Sequence, residues 1–204
     1  MNGLLTQVRR LRSGVSALAT FMGLAAGWNY VACAIFITVD VVGRAFFGVS
    51  SAATVEVTGY MLAIGIAWGL AHTLARRAHI RVDVLVNRLP LALRAWLHLV
   101  ALALLGIFAA FCVWAAWSLV DESILFDAHD NTSLRIPLVI PQGLWLTGIA
   151  AFCLMVFVLL LEALLSLLAG QGAELDRLLG SRTLEDETAE ALEAVEMARR
   201  GEKA

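Results

Sequence analysis

Arg76-Arg77-Ala78-His79-Ile80-Arg81-Val82-Asp83 is a compact charged hinge between two long apolar runs. Residues 57–75 before it and 95–120 after it contain no Asp, Glu, Lys or Arg. Working outward, residues 13–39 and 142–161 repeat the pattern. A helix needs about 20 apolar residues to cross the hydrocarbon core of a bilayer, and each run is of that length. The reading is an all-α integral membrane protein with four transmembrane helices, at about 15–39, 57–75, 95–120 and 142–165. Composition agrees: 60% of residues are hydrophobic, 16% charged, and mean hydropathy is +0.81. A soluble domain is nearer half apolar and a quarter charged.

The hinge also sets orientation. Positive charge marks the cytoplasmic side of a membrane protein. Arg9, Arg10 and Arg12 precede the first span; Arg76, Arg77, Arg81, Arg88 and Arg94 lie between the second and third; Arg177, Arg182, Arg199, Arg200 and Lys203 follow the fourth. Only Arg44 and Arg135 fall in the other two connections. Thirteen of the fifteen basic residues therefore place both termini and the hinge in the cytoplasm. The first apolar run exceeds the 7–15 residues of a signal-peptide core, so it reads as a retained span that doubles as a signal anchor.

Residues 1–169 form the transmembrane domain on this reading, and 170–204 a polar cytoplasmic tail. Thr183 with Asp186 resembles a capping box, and Arg199-Arg200 complement a helix C-terminus, so a short tail helix is expected at about 184–200. Pro141 suits the first turn of the fourth span, while Pro137 bends the approach to it. Trp96, Trp117 and Trp145 fall near span ends, as an interfacial belt requires. Trp28 and Trp68 fall mid-span and are expected to pack against protein.

Three sets of residues invite a role. Asp40 and Arg44 are four apart at the outer end of span one and share a helix face; Glu56, opening span two, is within reach of the same Arg44. The expectation is an ion cluster of Asp40, Arg44 and Glu56 that locks the two spans, with Arg44 holding a substrate carboxylate as the competing reading. Gly23 and Gly27, extended back by Ala19, and Gly65 and Gly69 form small-residue stripes that let helices approach closely. In the hinge, Arg76, Arg77, His79, Arg81, Asp83 and Arg88 would meet lipid headgroups or a partner. Val82, Leu85, Val86 and Leu89 share one face there, so this segment is expected to lie along the cytoplasmic interface.

His72 and His98 lie at similar depth on consecutive spans and raise a reading of another class, a haem b anchor for electron transfer. Asp127, His129 and Asp130 match no calcium or zinc pattern. Cys33, Cys112 and Cys153 sit one each in three spans and read as small packing residues. No cofactor, metal site or nucleic-acid partner is expected. No span carries a mid-membrane Asp, Glu, Lys or Arg and none is broken by proline, whereas coupled transporters place such features at mid-membrane. A chain that neither catalyses nor moves a solute alone is the expectation.

Several words of this sequence resemble the small membrane subunit of tripartite ATP-independent periplasmic (TRAP) transporters. They are Asp40-x-x-Gly43-Arg44, Glu56 at the start of span two, Ala78-His79-Ile80-Arg81-Val82-Asp83 followed by Leu89-Pro90, and Thr132-x-Leu134-x-Ile136-Pro137 with Pro141. The resemblance covers roughly residues 15–168. A tryptophan common shortly before the Glu56 position is absent, and Val139 stands where an aromatic is frequent. The resemblance implies a bacterial inner-membrane, multi-pass subunit paired with a large membrane subunit that binds solute and sodium. It also implies a periplasmic substrate-binding protein delivering an organic acid of C4-dicarboxylate type, with this chain as scaffold.

Overall fold

The computed structural model describes residues 2–49, 51, 53–77, 89–131, 134–170, 179, 188, 191–192, 195–197 and 199. Four long helices carry the fold: α1 Asn2–Phe47, α2 Thr54–Ala75, α3 Leu91–Leu125 and α4 Val139–Leu168. Each is long and apolar enough to span a membrane. They overrun the apolar runs from which they were expected. The 46 residues of α1 reach about 70 Å at 1.5 Å per residue, against a hydrocarbon core of about 30 Å. Apolarity marks only the part of a helix that lipid requires, and polar turns at either end keep their backbone bonds without it.

The buried residues of α1 are Leu5, Val8, Val15, Ala19, Met22, Ala26, Cys33 and Asp40. Their spacings of three, four and seven trace the narrow seam of heptad packing. Much of the rest of the helix, including Leu18, Phe21, Trp28 and Ile35, is exposed in this chain. Trp28 is 68% exposed, so it does not pack against this chain as expected; it lies off the seam. Trp68 does pack, donating its indole N–H to the Leu144 carbonyl at 2.9 Å.

Helix α4 is the hub. It packs along α1, α2 and α3, while the remaining extensive pairing is α1 with α2. In its most apolar stretch 44% of residues are buried, against 6% in α1. Met155, Val156 and Val158 are fully enclosed and join Ala19 of α1, Ala71 and Leu74 of α2, and Leu99 and Leu102 of α3 in one core. A close backbone approach is at Gly148 of α4, where a Cβ would stand 2.7 Å from the Ala67 carbonyl carbon of α2. Only glycine fits against that backbone.

The connections are tight. After α1, Gly48 takes a left-handed conformation at φ 65° and the Val49 N–H turns back to the Gly43 carbonyl. Between α3 and α4, the Asp130 N–H bonds Ile136 O and the Leu138 N–H bonds Ala128 O, both at 3.0 Å. Pro137 sits on this small hairpin opposite His129, and Pro141 falls in the first turn of α4, where a missing N–H leaves no bond unmade. Helix α2 ends at the hinge, with Arg77 left-handed at φ 54°.

The expected interfacial segment, with His79, Arg81, Val82, Asp83, Leu85, Val86 and Arg88, lies outside the described residues. In the expected tail helix, Thr188, Ala191, Leu192, residues 195–197 and Arg199 are helical. Leu179, within the polar segment 170–204, is 3% exposed and belongs to the core.

Candidate functional site

Two polar ends and a clasped pair of helices hold the residues of interest. At the Asp40 end, Arg44 Nη2 donates to Asp40 Oδ2 at 2.7 Å. The Ser51 backbone N–H donates to Asp40 Oδ1 at 2.8 Å. Asp40 is only 8% exposed, so one carboxylate closes the last turn of α1 and fixes the loop to α2. A buried carboxylate is tolerable because both its oxygens are engaged.

Glu56 does not join Asp40 and Arg44. It lies one turn before Tyr60, whose hydroxyl is 3.3 Å from Glu56 Oε1 and also donates to Asp130 Oδ2. The expected triad is thus two locks: Asp40 with Arg44 on α1, and Tyr60 of α2 holding Glu56 and the α3–α4 hairpin. Asp130 lies 70 residues from Tyr60, so no local spacing pointed to it. His129 turns its Nδ1 to the Asp127 carbonyl at 2.6 Å.

Down the bundle, α1 and α2 are clasped by three contacts. Asn29 Nδ2 donates to the Met61 carbonyl at 2.6 Å. A Cβ on Gly65 would stand 2.7 Å from the Tyr30 ring, and one on Gly23 would stand 2.8 Å from the His72 ring. Ala19 is 1% exposed. The small-residue stripes therefore divide: Ala19, Gly23 and Gly65 serve packing within the chain, whereas Gly27 and Gly69 face nothing within 4 Å. Gly148 and Asn29 had drawn no attention in the sequence. Gly148 has no glycine partner four residues away, and an asparagine in an apolar run was the one signal for the clasp.

His72 faces Gly23 of α1, and α2 and α3 are not among the extensively packed pairs. The helices that would have to face across a haem are instead each docked on α4.

At the opposite end, Glu162 of α4 is 3% exposed. Arg9 Nε approaches its Oε1 at 3.5 Å and Arg12 Nε its Oε2 at 3.3 Å. Beside this network is a cavity of about 590 Å³, whose described lining includes Arg12, Arg77, Leu74, Leu102, Met155 and Ser166. Arg77 of the hinge thus shares a site with the start of α1 and the end of α4. Arg76 caps α2, its N–H bonded to the His72 carbonyl at 3.0 Å.

Four long apolar helices with ionic groups only toward their ends define an all-helical membrane protein. Residues 33–167 match the family of tripartite ATP-independent periplasmic transporters, DctQ component. That stretch is the greater part of the chain, and the chain belongs to this family. It is a membrane component of a bacterial inner-membrane TRAP transporter, and not an enzyme. No curated protein and no solved structure matches the chain.

Proposed function

We propose that this chain is the static scaffold of a sodium-gradient-driven TRAP importer for organic acids of the C4-dicarboxylate type. A large membrane subunit carries the solute and sodium, and a periplasmic binding protein delivers the acid. Both termini face the cytoplasm and the Asp40 end faces the periplasm, by the distribution of Arg and Lys.

The observation that carries the reading is the outer face of α1. Nearly all of its apolar surface is uncovered by this chain, and Gly27 and Gly69 offer open small-residue positions. Close packing of a partner helix needs such positions, because apolar surface alone does not draw helices together in lipid. The locks at Asp40, Arg44, Glu56 and Tyr60 would hold the clasped pair rigid while the partner moves. Arg44 then acts in structure rather than on substrate.

The paired substitution Gly27→Leu with Gly69→Leu tests this. It should leave the small subunit folded and membrane-inserted but lower recovery of the large subunit on co-purification, with uptake lost in proportion. Undiminished recovery and uptake would refute docking on this face.

A further inference from the structure

We propose that the cavity at the Arg9 end is a binding site for the phosphate group of a cytoplasmic-leaflet phospholipid. The site is built from all four helices and has both hydrocarbon and polar walls. Leu74 of α2, Leu102 of α3 and Met155 of α4 line it with hydrocarbon, while Arg12 and Arg77 bring guanidinium groups to the same space. Its volume is about 590 Å³, room for a headgroup and the start of an acyl chain but more than a simple anion needs.

Arg12 is the residue that points to phosphate. Its Nε stands 3.3 Å from Glu162 Oε2, and the side chain also lines the cavity. Its side chain is 37% exposed, whereas that of Glu162 is 4% exposed. The buried carboxylate thereby holds a guanidinium in place at the cavity rim without covering its outer edge. Guanidinium groups bind phosphate oxygens in a planar, two-pronged fashion. The proposed orientation sets this rim at the cytoplasmic headgroup level, so a lipid can enter with its phosphate on the arginines and its chain along the apolar wall. A free phosphate ion would leave that wall wet. The site does not depend on which solute the transporter carries.

The test uses the full chain purified in its complex and reconstituted in nanodiscs of phosphatidylethanolamine and phosphatidylglycerol. After transfer to mild detergent, native mass spectrometry reads the phospholipid that stays bound. Arg12→Ala removes the phosphate contact; Ala75 of α2 also lines the cavity, so Ala75→Trp fills it and leaves every charge in place. Each should lower the lipid-bound population by roughly tenfold, the equivalent of about 1.4 kcal/mol. Wild-type retention in both variants would overturn the site. A second measurement needs no variant: added phosphatidylglycerol should raise the unfolding temperature of delipidated protein, and inorganic phosphate at the same concentration should not. Equal protection by inorganic phosphate would assign the arginines to a free anion and sink the lipid reading.

Discussion

Glu162 and Gly148 show what single residues of α4 contribute. Glu162 is enclosed, and the cost of burying its carboxyl group is offset by Arg9 and Arg12. Glu162→Gln should destabilise the chain by about 1–2 kcal/mol, less than the usual loss at a buried pair because the two arginines keep access to water. Unfolding in detergent would measure it, and an unchanged midpoint would mean the network contributes nothing. Gly148 makes a sharper case. Gly148→Ala drives a methyl into the Ala67 backbone and should cost about 1–3 kcal/mol by overpacking. Gly143, five residues earlier and facing open space, provides the control: Gly143→Ala should be neutral or slightly stabilising, since alanine is the better helix former. Equal effects at the two positions would contradict the close crossing of α2 and α4.

At the scale of elements, the sequence yields what is periodic or local. Four apolar runs gave four helices, because no other backbone arrangement within a single chain segment satisfies its own polar groups in lipid. Asp40 and Arg44 were legible because four residues is one turn. Glu56 was misassigned to Arg44 for the complementary reason: its neighbour Tyr60 reaches Asp130 in the α3–α4 hairpin, 70 residues on, and such a contact leaves no trace in spacing. The heptad seam of α1 was hidden by a helix apolar on nearly every face. Along that seam, Asn29 bonding the Met61 carbonyl is the one side-chain hydrogen bond joining α1 to α2 among the described mid-span residues. Asn29→Leu should weaken the α1–α2 pair by about 0.5–1.5 kcal/mol, the range of interhelical hydrogen bonds in membranes. A denaturing detergent titration of reconstituted chain reads this loss, and no shift in midpoint would show that the glycine contacts suffice.

For the whole molecule, the arrangement around α4 makes the two ends unlike. At one end, arginines surround a single buried carboxylate beside a cavity. At the other, Asp40 and Asp130 tie down two short connections. The helices place Arg9, Arg12 and Arg77 together with Glu162, so residues assigned to one side by charge counting also meet in space. That convergence is independent of the counting rule and supports a common side for the start of α1, the end of α2 and the end of α4. Which side it is can be read with an impermeant thiol reagent. In a background with Cys33, Cys112 and Cys153 changed to alanine, Asp127→Cys on the α3–α4 hairpin, where that side chain is 95% exposed, should label in intact cells. Arg10→Cys should label only after the inner membrane is opened. The reverse pattern would invert the protein, moving the arginine cavity to the periplasmic face and removing it from the leaflet that the lipid site requires. Labelling of both in intact cells would mean that α1, α2 and α3 do not all span.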